Sequence, residues 1–169
     1  MPTLMTHAVA GVAIAHLMAP RELRRRLSWA AAICSMLPDA DVAGFAFGVS
    51  YGDLFGHRGI THSVAFAALV AAGSAAWLGR NTRALASIFI ATLSHGLLDA
   101  MTDGGLGVAF FSPLQVTRYF FGARPIHVSP IGLGFFSSYG LAACATELVW
   151  VWFPALILIA AAWWWRARA

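Results

Sequence analysis

Five long apolar runs make up most of this chain and restrict what it can fold into. They cover residues 3–19, 27–52, 62–79, 84–101 and 141–165, and each is close to the ~20 residues that a transmembrane helix needs. Hydrophobic residues form 60% of the 169 residues and charged residues 11%, whereas about 25% of a soluble domain is charged. We therefore expect an all-α fold, a polytopic helical membrane bundle of about five spans, in a single domain over residues 1–169.

The positive charge is concentrated in three arginine groups. All eleven basic residues are arginine, and the formal charge is +4. The groups follow the first, third and fifth runs, at residues 21–26, 80–83 and 166–168, so they fall on one side of the membrane, which the positive-inside rule assigns to the cytoplasm. The sequence predicts a multi-pass, bacterial-type inner membrane protein with an outward-facing N-terminus, an outer loop cap over residues 102–140 and a cytoplasmic C-terminus. Nucleic-acid binding is not expected, because the arginines form no continuous basic stripe.

The second run contains a helix-breaking motif, Leu37-Pro38-Asp39-Ala40-Asp41. Proline ends or kinks a helix, and broken helices within a membrane are typical of cavities and binding sites. We expect one broken helix here, with both carboxylates converging on a cation. The alternative is an outward turn in which an aspartate caps a helix.

Seven side chains that bind metals or transfer protons fall at a similar depth in the predicted bundle, between its midplane and its outer surface, if each helical residue rises 1.5 Å. A charged side chain at the bilayer centre costs on the order of 3 kcal/mol, so such groups are expected to pair or to bind a ligand. The seven candidate metal ligands are His7, Asp39, Asp41, His57, His62, His95 and Asp99.

The most regular of these elements is His95-x-x-x-Asp99, because residues four apart share one face of a helix. Imidazole with carboxylate suits zinc and also accepts manganese or iron. Six or seven ligands exceed one tetrahedral site, so we expect one or two divalent metals. Taken alone, each motif also has an interpretation without a metal: a pair of side chains on a helix surface, or a histidine packed inside the bundle.

Two arginines are candidates for binding an anionic substrate. Arg58 lies between His57 and His62, and its planar guanidinium suits a phosphoryl or carboxyl oxygen. Arg118, in the predicted outer loop, is assigned the same role. The alternative for the segment around Arg58 is that Thr61 and Ser63 simply cap the third helix.

Three ordered motifs resemble those of the YdjM-like inner-membrane metal-dependent hydrolases, over about residues 4–126. The resemblance implies a helical membrane protein with metal-dependent hydrolase activity. More remotely, the order of histidines and aspartates is similar to that of zinc-dependent phospholipase C and P1 nuclease, which implies His7, Asp41, His62, His95 and Asp99 as ligands; the ligands that complete the multinuclear site there have no match after Asp99. The three motifs are Leu37-Pro38-Asp39-x-Asp41, Gly56-His57-Arg58-Gly59-x-Thr61-His62-Ser63 and Ser94-His95-x-x-x-Asp99-x-x-Thr102.

These features together predict a membrane-bound hydrolase in which a metal-activated water cleaves a phosphoester or related bond of a lipid or lipid-linked substrate. Asp39 or Asp41 is the expected general base or bridging ligand. One alternative is a cation transporter or metal-handling protein, although the inner half of each predicted span offers only His16 and small hydroxyls. A second alternative is a structural or interaction protein in which a bound metal cross-links the helices. The sequence names neither the substrate nor the oligomeric state.

Overall fold

The computed structural model describes residues 1–130 and 132–168, so Ile131 and Ala169 of the predicted domain lie outside the described residues. Helices dominate this part of the chain, which contains isolated β-bridges but no strand. The prediction of an all-helical fold is therefore confirmed for these residues. The α-helices are α1 (Leu4–Met18), α2 (Arg24–Met36), α3 (Val64–Leu78), α4 (Thr82–Ala100), α5 (Ser138–Glu147) and α6 (Phe153–Ala167).

Two of the helices continue into segments of different winding. After Met36 the chain continues from α2 as a 3-10 helix over Leu37–Phe47, and the change occurs at Pro38, as expected of a residue that lacks a backbone N–H. Gly48, with φ of 80°, ends this segment. A π-helical turn over Leu148–Trp152 joins α5 to α6, so these elements form one continuous rod.

The predicted five-span bundle is not confirmed. Within the described residues, two stretches combine the length and the hydropathy of a span, Arg21–Phe47 with 27 residues and Ser138–Ala167 with 30. Helices α1 and α3 have 15 residues each, or about 22 Å, which is shorter than the ~30 Å hydrocarbon core. The apolar runs do become helical, but 3-10 turns and polar residues shorten them or lower their hydropathy.

The centre of the bundle consists of α1, α2 and α4, with α3 packed on α4 and α6 packed on α1. Small residues allow α1 and α2 to approach closely. A Cβ atom added at Gly11 of α1 would lie 2.5 Å from the Ala31 carbonyl oxygen and 2.6 Å from Ser35 Oγ, both on α2. The spacing between these two helices therefore depends on glycine at position 11.

The α5–α6 rod holds both ends of α1. At the N-terminal end, the buried Glu147 carboxylate accepts hydrogen bonds from the Thr3 amide at 2.8 Å and from the hydroxyls of Thr3 and Thr6. At the other end, Arg166 donates to the carbonyl oxygens of His16 and Leu17, at 2.6 and 2.8 Å, which otherwise lack partners at a helix C-terminus. These contacts fix the position of α1 along the bundle.

The segment between α4 and α5 forms the cap predicted over residues 102–140. Its described residues contain two isolated bridges, Thr102 with Ile126 and Val108 with Tyr119, and one short 3-10 helix, Gly132–Phe136. The cap is tied to the rest of the bundle by backbone hydrogen bonds from Val64 to Phe110 and from Ala109 to Arg58. It therefore holds the loop that carries His57 and Arg58.

Replacing Gly11 tests the close approach of α1 and α2. We expect Gly11→Ala to lower the free energy of unfolding by about 1–3 kcal/mol, because the new methyl group meets backbone that cannot move independently. Gly73→Ala in α3 is the matched control, since apart from its own helix backbone and chain neighbours no described atom lies within 4 Å of its added Cβ, and it should be neutral or stabilising. Unfolding in detergent micelles provides the measurement, and equal destabilisation by both changes would contradict this packing.

Candidate metal centre

His95 of α4 is oriented by the backbone of α2. Its Nδ1 atom lies 2.7 Å from the Ser35 carbonyl oxygen, and because a carbonyl can only accept, Nδ1 must carry the proton. The lone pair is then on Nε2. This partner is a main-chain atom, so no side-chain pattern in the sequence could have revealed it.

His62, in the 3-10 turn before α3, is oriented in a similar way. Its Nδ1 atom lies 3.0 Å from Thr61 Oγ1, and the Thr61 hydroxyl donates to Asp41 Oδ2 at 2.6 Å. The Thr61 oxygen must therefore accept from His62 Nδ1, and in the neutral form of His62 the lone pair is then on Nε2. The two Nε2 atoms of His62 and His95 face each other at 3.1 Å.

Two carboxylates complete a group that we call the acceptor cluster, formed by Asp39, His62, His95 and Asp99. Asp39 Oδ1 lies 3.3 Å from His95 Nε2 and 3.7 Å from His62 Nε2. Asp99 Oδ2 lies 3.5 Å from His62 Nε2 and 4.0 Å from His95 Nε2. One ligand atom from each residue lies within 4.8 Å of all the others.

The acceptor cluster fits a divalent cation. Its four residues are at most 7% exposed, and within the described chain neither oxygen of Asp39 has a hydrogen-bond partner. Buried lone pairs that face one another are costly unless a cation or proton lies between them. Zinc–ligand bonds of 2.0–2.2 Å place neighbouring tetrahedral ligand atoms about 3.3 Å apart, which is close to the 3.1–4.0 Å separations here. The same donor set also accepts manganese or iron.

Arg58 has a different position from the one expected of a substrate-binding residue. Its side chain is 0% exposed, and its Nε lies 2.9 Å from Asp99 Oδ2. The two Nη atoms donate to the Gly104 carbonyl oxygen and to Thr102 Oγ1, each at 2.9 Å. A guanidinium enclosed in this way does not reach an incoming anion, so we replace the predicted role with that of a positioning residue for Asp99.

Arg118 is likewise engaged with the protein. It donates to the carbonyl oxygens of His57 at 2.9 Å and Tyr51 at 3.0 Å, and its guanidinium lies 5.7 Å from the centre of the Tyr51 ring. These contacts hold the 51–57 loop against the cap. The structure thus gives Arg118 a positioning role, and its predicted contact with an anionic substrate stays a prediction.

A second set of possible ligands shares His62 with the acceptor cluster. Asp41, His57 and His62 each offer an atom within 4.8 Å of the other two. His57 Nδ1 lies 2.8 Å from Asp41 Oδ1 and must donate to it, so Asp41 already accepts hydrogen bonds from His57 and Thr61. Carboxylates that orient metal-binding histidines in this way are common around metal sites. We therefore place the first cation in the acceptor cluster and give Asp41 an orienting role.

His7 lies at the edge of the acceptor cluster. Its ring stacks on that of His95, with centroids 3.6 Å apart, and its Nε2 lies 3.7 Å from Asp99 Oδ1. Neither ring nitrogen has a hydrogen-bond partner among the residues that the structure describes. All seven predicted residues thus lie in one contiguous group, with His7 available to a further coordination position or to substrate.

The acceptor cluster has an opening on the side of the bundle. A cavity of about 480 Å³ lies between the start of α1 and the junction of α2 with its 3-10 extension, and Asp39 is its polar wall. The other residues along it are apolar. They are Met1, Leu4, Met36, Ala40 and Val42.

The cap contains a further pair, Asp103 and His127, which falls outside the seven predicted ligands. Asp103 Oδ2 lies 2.6 Å from His127 Nδ1, and Oδ1 accepts from the Val128 amide at 2.9 Å. Desolvation favours neutral Asp103, but these hydrogen bonds outweigh it and hold the pKa of Asp103 below its ordinary value. The pair is about 40% exposed and stabilises the cap without joining the acceptor cluster.

The two roles assigned to the aspartates predict different metal affinities. Asp41→Asn should weaken metal binding by about 10–100-fold, the usual effect of losing an orienting partner, whereas Asp99→Asn removes a ligand and should weaken it further. Asp103→Asn is the control and should leave affinity unchanged. Competition with a metal-chelating dye on the detergent-solubilised protein measures all three, and equal losses from Asp41→Asn and Asp99→Asn would contradict the orienting role.

Comparison with known proteins gives the chain a family. The family model of the YdjM inner membrane protein matches residues 1–169. Inner membrane protein YbcI of Escherichia coli (strain K12) is 39% identical, in an alignment that covers 98% of this chain and 99% of the relative. No solved structure is significantly similar to the chain. The family that was predicted from three motifs is confirmed: this chain belongs to the YdjM inner membrane protein family.

Proposed function

We propose that this protein is a membrane-bound, metal-dependent hydrolase that cleaves a phosphoester or related bond of a lipid or lipid-linked substrate. One observation carries the proposal: a buried cluster of four possible ligand atoms lies directly beside an apolar opening in the side of the bundle. A catalytic metal site needs ligands on one side and access on the other. The acceptor cluster and the opening beside Asp39 provide both.

The residues around the opening have distinct roles in this proposal. A divalent cation held by the acceptor cluster would polarise a phosphoryl oxygen and lower the pKa of a water molecule. Asp39 lines the opening and has a second carboxylate oxygen free to accept a proton, so we assign it as general base. His7, with an unpaired ring nitrogen near Asp99 Oδ1, is placed to hold or donate a proton at the leaving oxygen.

The apolar walls of the opening favour a lipid substrate. Leu4, Met36 and Val42 line the route to Asp39, so acyl or prenyl chains can stay in an apolar environment while the polar headgroup approaches the site. A water-soluble substrate would gain nothing from such walls. The exposed aromatic residues Phe111, Phe121 and Phe136 of the cap are typical of a surface at the membrane interface.

A transport path is less well supported because the bundle is packed on the far side of the acceptor cluster. Apolar residues, including Ala15, Leu27 and Ile88, fill the space between α1, α2 and α4 there. The hydroxyls of Ser87 and Thr92 donate to carbonyl oxygens of their own helix. A purely structural metal is also less well supported, because structural sites are closed and the opening reaches Asp39.

We also propose that the arginine end of the bundle faces the cytoplasm and that the cap faces outward. A C-terminal green fluorescent protein fusion should fluoresce, and a C-terminal alkaline phosphatase fusion should be inactive. In a background in which Cys34 and Cys144 are alanine, Leu106→Cys in the exposed part of the cap should react with a membrane-impermeant maleimide on intact spheroplasts. An active phosphatase fusion together with an unlabelled cap would contradict this orientation and indicate the opposite one.

Metal content and hydrolysis test the proposed function together. Purified wild type should contain about one zinc, manganese or iron ion per chain by elemental analysis, and His95→Ala and Asp99→Ala should lose it. His16→Ala is the control, since His16 lies outside the acceptor cluster and contacts the Val12 carbonyl oxygen. Hydrolysis is followed as phosphate or phosphorylated headgroup released from phosphatidylglycerol, phosphatidylethanolamine and a polyprenyl diphosphate.

Loss of metal and of hydrolysis in the two ligand variants, with both retained in His16→Ala, is the expected result. A folded wild type without metal would contradict the cation site itself. Stoichiometric metal without hydrolysis of any of these substrates would contradict the hydrolase and favour a structural metal.

A further inference from the structure

A groove runs along the outside of α1, α2 and α6, away from the acceptor cluster. Its wider part is a cavity of about 510 Å³ whose lining is almost entirely apolar. The apolar residues along it are Ala8, Val9 and Val12 of α1, Trp29 and Ala32 of α2, Leu156 and Ile159 of α6, and Trp152 of the π-helical turn.

The groove ends in a cluster of basic residues. A cavity of about 430 Å³ adjoins the apolar part, with Ser28 and Trp29 belonging to both. Arg21, Arg24, Arg25 and His16 line this second cavity. The groove is therefore apolar along its length and cationic at one end.

The cationic end contains hydrogen-bond donors that have no partner. Arg24 Nε, Arg24 Nη2 and Ser28 Oγ are buried and make no hydrogen bond to any described residue. Within residues 1–130 and 132–168, no carboxylate lies within salt-bridge distance of Arg24. Unpaired buried donors cost free energy, so this arrangement favours a ligand with a hydrogen-bond acceptor, and the positive charge of the lining arginines favours an anionic one.

One face of α2 carries both these donors and a wall of the apolar part of the groove. Arg24, Ser28 and Ala32 are spaced four residues apart and share one helix face. They span about 12 Å along the axis, from the unpaired guanidinium to the apolar wall. A ligand lying on this face must be anionic at one end and apolar over the rest of its length.

We infer that this groove binds an anionic phospholipid. The phosphate lies against Arg24 and Ser28, with Arg21 and Arg25 beside it, and one acyl chain follows the apolar groove between α1, α2 and α6. Arginine is suited to this contact because its planar fork matches phosphate oxygens. A free phosphate would satisfy the donors and leave the apolar groove unexplained.

This lipid is distinct from the proposed substrate. Arg24 lies eleven residues before Ser35 on α2, which puts it about 16 Å along the helix from the acceptor cluster. Helices α1, α2 and α6 all border the groove, so the lipid would hold the α5–α6 rod against the centre of the bundle. The inference does not depend on whether the protein is a hydrolase.

Lipid binding to the delipidated full-length protein tests the inference. Native mass spectrometry in detergent gives the affinity for dioleoyl-phosphatidylglycerol and for dioleoyl-phosphatidylcholine, with phosphatidylglycerol expected to bind more tightly. Arg24→Gln should weaken phosphatidylglycerol binding about tenfold, which corresponds to ~1.4 kcal/mol. Arg83→Gln is the charge-matched control, because Arg83 is exposed and outside the groove, and it should bind as wild type does.

Two further measurements test the apolar groove and the phosphate contact separately. Ala8→Leu fills the apolar groove and keeps every arginine, so it should weaken phosphatidylglycerol binding while the protein still melts cooperatively. Inorganic phosphate should neither compete with the lipid at matched ionic strength nor raise the melting temperature. Equal binding of the two lipids, equal losses in Arg24→Gln and Arg83→Gln, full binding by Ala8→Leu, or stabilisation by phosphate alone would each overturn the inference.

Discussion

Four buried ligand atoms that need a positive charge between them determine what the centre of this bundle can hold. His62 and His95 each donate the Nδ1 proton to another acceptor, so in their neutral forms the Nε2 lone pairs of both rings face the carboxylates of Asp39 and Asp99. In an apolar interior such an arrangement is strongly unfavourable without a positive charge. Arg58 balances part of the charge of Asp99 from behind, but it does not lie between the two imidazoles. A divalent cation resolves the remaining imbalance.

The surrounding architecture maintains this arrangement. Gly11 allows α1 to approach α2 closely, and Ser35 contacts both helices of the site by donating to the His7 carbonyl oxygen and accepting from His95 through its own carbonyl. Glu147 fixes the first turn of α1, directly beside His7. Buried polar contacts outside the acceptor cluster therefore position the helices that carry it. The core of the bundle is rich in alanine, whose small side chain offers little packing specificity, so the bundle relies on such polar contacts.

The sequence predicted the local features of the site well and its tertiary partners poorly. Helical rise alone placed His7, Asp39 and His95 at similar depth, and Pro38 located the change of helix type. The sequence could not reveal the partners of Arg58 and Arg118, because these include backbone carbonyl oxygens that only the fold brings close. The five predicted spans are not confirmed, because hydropathy marks apolar stretches, whereas the length of a helix depends on caps and 3-10 turns at its ends.

The central claim is that His62, His95, Asp39 and Asp99 hold the proposed cation, and X-ray absorption spectroscopy of the purified wild-type protein tests it most directly. The spectrum at the absorption edge of the bound metal should show imidazole nitrogens and carboxylate oxygens at about 2.0–2.2 Å, with the multiple-scattering signal of two histidine rings. A shell that contains sulfur, or a hydrated shell of oxygens without imidazole, would contradict a cation held by His62, His95, Asp39 and Asp99.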